Sequence, residues 1–195
     1  MITENINIEK KEGKEYLALP ENIYQVQLLD VNLNKRPTYD TRLLPDNMKM
    51  YEPIFSFQFT LLKGKNGEED LRVRNVWDNF VQTFLYISKK SGKNKLYQIV
   101  EALLGHPLSP EEEATLDKDF INKLIGKQCR IGTKHKKSGD KIFDNIETYY
   151  PIEMELPPLT EEEKEKARVK TKDGEKEVKI DEGEATEEEL EKAPF

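Results

Sequence analysis

Three separated segments of the chain carry clusters of cationic side chains, and two of these segments also carry aromatic side chains. Lysine and arginine neutralise phosphate groups, and exposed rings stack on unpaired bases, each stacked base contributing about 1–3 kcal/mol. The residues concerned are Lys35, Arg36, Tyr39, Arg42 and Tyr51 in the first segment, Arg72, Arg74 and Trp77 in the second, and Lys134, Lys136 and Lys137 in the third. If the fold gathers them on one surface, that surface is suited to single-stranded nucleic acid.

Several of these residues and their neighbours have a structural alternative. Phe55, Phe57 and Phe59 alternate with polar residues, which is typical of the core side of a strand. Trp77 has the same parity as Leu71 and Val73, which favours the core unless a bulge intervenes. A core position and a stacking position are therefore both open. Tyr39 and Tyr51, in a loop and at a strand edge, are better stacking candidates. A solvated hairpin is the alternative for Lys134, Lys136 and Lys137, although their combination with Arg72 and Arg74 favours phosphate contact.

The chain offers little for covalent or metal chemistry. Cys129 is the only cysteine, and His106 and His135 lie far apart, which argues against a zinc site. The sequence has no Gly-x-x-x-x-Gly-Lys-Ser/Thr phosphate loop and no Ser-His-Asp set with local support. The acidic residues that a metal-dependent nuclease could use are Asp46, Glu52, Asp70 and Asp78, and their spacing selects none of them. We therefore expect a non-enzymatic protein without a metal or cofactor.

Charge is distributed unevenly along the chain. The 195 residues carry a formal net charge of −7. Residues 151–195 hold 8 basic and 16 acidic side chains, so residues 1–150 are close to neutral. Such separation of sign is typical of a binding domain with an acidic arm. The length and the 36% of hydrophobic residues favour one domain with appendages.

Alternation of apolar and polar residues predicts three strands in the first half of the chain. They cover 22–33, 53–62 and 71–77, with a long functional loop at 34–50. Because polar residues alternate with apolar ones in the second and third strands, their hairpin is expected to keep one face in water. Residues 78–88 carry no clear pattern.

A helix and two further strands are predicted after residue 90. Leu96, Ile99, Val100 and Leu103 repeat at helical spacing, and Gly105 is placed as the C-cap. The remaining elements are a turn capped by Ser109, a short helix over 117–126 and strands over about 127–135 and 141–150.

This order of elements predicts the fold. Five short antiparallel strands with a helix between the third and fourth can close into the five-stranded barrel of the oligonucleotide-binding (OB) fold. A β-sandwich is the alternative. The expected divisions are an N-terminal arm (1–20), a mainly β, OB-like nucleic-acid-binding domain (21–152) and a flexible acidic tail (153–195), with a transient helix over 160–168.

The last residues carry a resemblance. Glu188, Glu189 and Glu191 form an acidic patch before Pro194 and Phe195. An OB-like body with such a tail resembles the single-stranded DNA-binding proteins of bacteria and tailed phages, whose tails end in an acidic patch and Ile-Pro-Phe. Ala193 replaces the isoleucine, and Lys192 intrudes. The body also resembles phage-encoded OB-type proteins found with recombination genes, through "LYQIVEALLG" and "LIGKQCRIGTKHK".

The resemblance implies a function. It implies that the chain binds and protects single-stranded DNA without sequence specificity during replication, recombination or repair, and recruits partner enzymes through its acidic tip. A protein-protein adaptor that does not bind DNA is the alternative. The sequence has no apolar run of roughly 20 residues and no signal-peptide pattern at its start, so we expect a cytoplasmic protein, in the host cytoplasm if phage-encoded.

Overall fold

The computed structural model describes residues 18–139 and 141–172. The strands are β1 (Ile23–Pro37), β2 (Tyr51–Leu61), β3 (Lys65–Asn66), β4 (Glu69–Asp70), β5 (Asn75–Gln82), β6 (Ile87–Ser88), β7 (Gly92–Lys93), β8 (Gln128–Ser138) and β9 (Lys141–Tyr150). The helices are α1 (Lys95–Leu104), α2 (Pro110–Ala114), α3 (Lys118–Asn122) and α4 (Glu161–Lys172), with a 3-10 turn at Asp46–Met48. In this part of the chain no helix combines the length and apolar character needed to cross a membrane.

The five long strands form one antiparallel sheet in the order β5-β2-β1-β8-β9. The prediction of a mainly β chain with five antiparallel strands is therefore confirmed. β1 is longer than predicted: it runs to Pro37, which pairs with Tyr51 at the start of β2. The predicted long loop is correspondingly reduced to residues 38–50.

The third long strand differs from the prediction. A strand over 71–77 was expected, but residues 71–74 form a turn in which Val73 has a φ of 71°, and β5 begins at Asn75. The turn breaks the alternation that the sequence suggested. Both arginines of this segment consequently lie on the turn and not on a strand face.

The core lies between one face of the sheet and α1. Phe57 and Phe59 are fully buried, as the alternation of β2 predicted, and they pack with α1 residues such as Ile99. Both caps of α1 also follow sequence rules: Asn94 accepts a hydrogen bond from the amide of Tyr97, and Gly105 takes the left-handed conformation at φ 84°. The helix therefore begins after a side-chain N-cap, Asn94, and ends before a glycine C-cap, Gly105.

The first and last strands of the sheet order approach each other without pairing. In the described residues no hydrogen-bonded ladder joins β5 to β9, so the predicted closed barrel is not found. Side chains bridge the gap instead. The buried carboxylate of Asp78 accepts hydrogen bonds from the Tyr149 hydroxyl and from Lys95 Nζ at 2.8 Å, and Arg74 Nη2 lies 3.6 Å from Asp144 Oδ2.

The outer face of the sheet was expected to be wet, and this expectation is wrong over much of β2. Ser56, Gln58 and Thr60 are all buried. The segment 153–168, which we call the strap, crosses this face. The prediction of a flexible tail from residue 153 onward is therefore wrong for the strap, and residues 173–195 lie outside the described residues.

Three glutamines hold the extended part of the strap. Gln25 Nε2 donates to the carbonyl of Met154 at 2.9 Å, and Gln27 Oε1 accepts from the amide of Leu159 at 2.8 Å. Gln128 does both, because its Nε2 donates to the Leu156 carbonyl at 2.6 Å and its Oε1 accepts from the Leu156 amide at 3.1 Å. Leu159 is buried, so the bond from its amide to Gln27 satisfies a backbone group that would otherwise be buried without a partner.

The first two turns of α4 form the second part of the strap and lie against the start of β5. Its Glu163 takes the Arg72 guanidinium in a two-pronged ion pair, with distances of 2.6 Å from Nε and 2.9 Å from Nη2. Asn75 Nδ2 donates to the carbonyl of Ala167 at 2.7 Å, and Ala167 is fully buried. A helix in this segment was predicted, but as a transient one. Its packing explains why it is part of the domain.

The Arg72–Glu163 pair makes the strap sensitive to acid. Hydrogen bonds from Arg72 lower the pKa of Glu163 from its ordinary 4.5 to about 2. A carboxylate with a depressed pKa stabilises the fold fully above about pH 4.5 and loses that contribution as the pH falls through about 2. We expect Glu163→Gln to lower the Tm at neutral pH, and the difference from the parent chain to shrink toward pH 2. Glu165→Gln, at an exposed position of the same helix, is the control; equal effects of the two substitutions at both pH values would contradict the assignment.

Candidate nucleic-acid interface

An open cleft of about 390 Å³ lies where β1, β2 and β5 meet the loop 38–50. It is lined by Arg36, Pro37, Tyr39, Arg42, Glu52 and Phe80. Arg36 is paired with Glu52 across the β1–β2 ladder. Because side chains alternate along a strand, Glu52 shares its sheet face with Ser56 and Thr60 further along β2. The cleft therefore occupies one end of the outer face, and the strap covers the other.

The loop places an exposed ring and a guanidinium together at the mouth of the cleft. Tyr39 is 75% exposed, and Arg42 Cζ lies 4.1 Å from the centre of its ring. This cation–π contact fixes the orientation of the ring without burying it. Hydrogen bonds from Thr38 and Thr41 to Met50 close the base of the loop. The pair therefore has an ordered position and a free face.

Phe80 forms the opposite wall on a strained stretch of backbone. The β2–β5 register shifts between Phe55 and Phe57, and Phe80 lies in this irregularity with a φ of 69°. Positive φ is unusual for a bulky residue and costs on the order of 1–3 kcal/mol. The conformation leaves the ring 60% exposed. Sequence reasoning missed Phe80, because simple alternation assigns it the inner-facing parity of Asp78, and only the bulge reverses this.

Arg36 is held at the cleft by an acidic neighbour. Its Nε lies 2.6 Å from Glu52 Oε1, and both side chains are partly exposed. A pair in contact with water contributes little to stability, about 0–1 kcal/mol. It does, however, place one carboxylate beside two guanidinium groups, so the cleft is cationic but not free of negative charge.

Two further residues predicted for the site are neighbours of cleft residues along the strands but do not line the cleft. Tyr51 is half-exposed and pairs with Pro37 at the strand edge. Lys35 is exposed and pairs with Pro53, so its parity is opposite to that of Arg36. Of the first predicted segment, Arg36, Tyr39 and Arg42 thus line one cleft, whereas Lys35 and Tyr51 are next to cleft residues along the strands with the opposite parity.

The second predicted segment lies at the other end of β5. Arg72 is engaged by Glu163 and also donates from Nη1 to the carbonyl of Leu62 at 2.8 Å. Arg74 faces Asp144, whose Oδ1 accepts from the amide of Leu19. Phe80 lies six residues beyond Arg74, about 20 Å at about 3.3 Å per residue, and neither arginine lines the cleft.

Trp77 and the third predicted segment are also apart from the cleft. Trp77 pairs with Gln58 on the outer face and is half-buried. It therefore does not lie on the core side of the sheet, which its sequence parity had favoured. Lys134 Nζ lies 2.6 Å from Glu147 Oε2, and Lys136 and Lys137 are exposed on the β8–β9 hairpin. The structure therefore divides the predicted groove into a cleft and a separate set of cations, most of them paired with acids.

The predicted partner-binding residues, Glu188, Glu189, Glu191, Pro194 and Phe195, lie outside the described residues. Within 18–139 and 141–172, no three His, Cys, Asp or Glu side chains are grouped so that they could hold a metal ion. Burial raises the pKa of the Cys129 thiol well above its ordinary value.

Comparison with known proteins adds no assignment. A scan against protein-family models, a search of curated proteins and a search of solved structures each found no match.

Proposed function

We propose that this chain binds single-stranded nucleic acid, without sequence preference, through the cleft between Tyr39 and Phe80. The observation that carries the proposal is that two large rings are exposed to solvent in fixed positions. Tyr39 lies under the guanidinium of Arg42, and Phe80 is on a residue with positive φ. Exposed rings in strained or fixed positions gain nothing for folding. Unpaired bases supply the flat apolar partner that such rings need.

The chemistry of the cleft favours a single strand over a duplex. Ring stacking requires bases that are unstacked, and it tolerates any sequence because every base has a π-face. Arg36 and Arg42 line the same cleft as the two rings, so their guanidinium groups are placed to contact the phosphates of a strand whose bases stack there. The described helices offer no basic recognition face beside the cleft that would enter a duplex groove.

The order of elements supports an OB-like scaffold for this activity. Three long strands, α1 and two further strands follow in that order, as in the OB fold, whose ligands contact the second and third strands and the loop after the first. The cleft lies at those elements. We propose a partly open OB-like sheet in which the strap covers the remainder of the binding face.

Protection of single-stranded DNA in replication or recombination is the role that such binding would serve. Recruitment of partner enzymes through residues 187–195 is a prediction from the sequence alone. The competing proposal, an adaptor that does not bind nucleic acid, is separated by one titration. Fluorescence-labelled oligo-dT should bind the full chain with an affinity that falls steeply with salt, whereas an adaptor should show no saturable binding.

Glu52 provides a test of the charge balance at the cleft. We expect Glu52→Gln to tighten oligo-dT binding a few-fold, because it removes the carboxylate that pairs with Arg36 and repels phosphate. Glu147→Gln is the matched control, since it frees Lys134 on the distant hairpin. A larger gain from the Glu147 change than from the Glu52 change would place the binding surface on the β8–β9 hairpin instead.

A further inference from the structure

A small hairpin beside the cleft carries a second set of rings and cations. It consists of residues 84–93 and includes β6 and β7. Phe84, Tyr86 and Ile87 are each more than half exposed. Lys89 and Lys90, at its turn, are also exposed, and no acidic side chain of the described residues forms an ion pair with either. Lys93, by contrast, is engaged by Glu101 at 2.5 Å.

The 84–93 hairpin is fixed to the domain by Asn94. The Asn94 amide donates to the Tyr86 carbonyl at 2.9 Å, and its Nδ2 donates to the Phe84 carbonyl at 2.8 Å. Its Oδ1 caps α1 through the amide of Tyr97. At the turn, Ser88 Oγ accepts from the amides of the two residues that follow Lys89. All of these contacts use backbone groups, so the exposed rings are not needed to hold the hairpin in place.

The hairpin continues directly from the cleft. Phe80 lines the cleft, and Gln82, the last residue of β5, pairs with Ile54. Ile54 is two residues from Glu52, which also lines the cleft. The chain therefore leaves β5 at the end of the sheet where the cleft lies. Asn94 Nδ2 also donates to Gln82 Oε1 at 3.3 Å, which ties the hairpin to this end of β5. The hairpin is therefore the next element along the chain from the wall of the cleft that Phe80 forms.

We propose that the 84–93 hairpin is a second binding platform for the same single strand, with Phe84 and Tyr86 stacking on bases and Lys89 and Lys90 contacting phosphates. This inference rests on the proposed function and extends the path beyond the cleft. Charge favours nucleic acid over an apolar protein partner, because the two lysines stand beside the rings without acidic counterparts in the described chain. The 84–93 hairpin thus supplies exposed rings and lysines for binding, which the part of the outer face covered by the strap does not.

The test compares short and long oligo-dT on the full chain. A single OB-type unit occupies about 4–16 nucleotides, so probes of about 4 and about 16 nucleotides separate the cleft from the extended path. The variants are Tyr86→Ala and the double variant Lys89→Gln/Lys90→Gln. The control is Lys118→Gln/Lys123→Gln, which removes two exposed lysines at α3.

The platform predicts at least about fivefold weaker binding of the long probe by each hairpin variant, and unchanged binding of the short probe. For the double lysine variant the slope of log K against log salt should also fall by about 1.4, two phosphate contacts at about 0.7 each. Long-probe binding equal to that of the parent and control chains would overturn the platform while leaving the cleft intact, and is also the result expected if the hairpin binds a protein. Absence of binding of both probes to the parent chain would instead overturn the proposed function.

Discussion

The double variant Tyr39→Ala/Arg42→Ala is expected to bind oligo-dT about 100-fold more weakly than the parent chain. One lost stacked base accounts for about 1–3 kcal/mol, and a lost phosphate contact adds to it; about 2.7 kcal/mol corresponds to 100-fold. Both side chains are exposed, and Arg42 lies against the Tyr39 ring, so the fold should keep its stability. Fluorescence anisotropy at one fixed salt concentration measures the change.

Tyr150→Ala is the matched control for this variant. Tyr150 is also a partly exposed ring with an arginine near it, since Arg130 Cζ lies 5.9 Å from its centre. It lies at the end of β9, on the opposite edge of the sheet order from β5. Equal losses of affinity in the two variants would show that the cleft has no special role. An unchanged affinity of the double variant would remove the cleft from the binding surface.

Leu159→Ala is expected to lower the free energy of unfolding by about 2–4 kcal/mol, within the range for removal of a buried leucine side chain. Leu159 is 3% exposed, and its amide is bound by Gln27. A flexible tail would give no change at this position. Urea unfolding followed by circular dichroism measures the effect.

The neighbouring Met154 provides the comparison for Leu159. It is 70% exposed, although its carbonyl accepts from Gln25, so Met154→Ala should leave the unfolding midpoint nearly unchanged. If both substitutions are neutral, the strap is not packed on the sheet in solution. If only Leu159→Ala destabilises, the domain extends beyond residue 152, and any truncation intended to remove an acidic tail must leave the strap in place.

Local patterns were sufficient where the stabilising contacts are local. The alternation around Phe57 and Phe59 predicted a buried strand, and helical spacing with the Gly105 cap predicted α1. The cleft was partly foreseen for a similar reason, because Tyr39 and Arg42 are three residues apart in one loop. Their contact depends on little else in the fold.

The remaining features depend on contacts that the sequence does not display. The strap buries few apolar side chains, and its position is set by hydrogen bonds from Gln25, Gln27 and Gln128, more than 25 residues away along the chain. Its composition therefore resembles that of a disordered segment. Arg72 was predicted to contact phosphate, but it is paired with Glu163 away from the cleft. This partner is 91 residues away along the chain and could not be inferred from the sequence.

Phe80 shows a different limit. A single irregularity in the β2–β5 ladder reverses the face on which a side chain lies, and no propensity marks its position. The ring that forms one wall of the cleft therefore has the sequence signature of a core residue.

Photo-crosslinking of the full chain to oligo-dT containing 5-iodo-deoxyuridine, followed by peptide mass spectrometry, locates the bases on the protein surface. If the cleft binds a single strand, the crosslinks should fall on Tyr39 and Phe80. Crosslinks confined to Trp77 or to the β8–β9 hairpin, or a crosslink yield no higher than with a duplex of the same length, would contradict the assignment of the cleft.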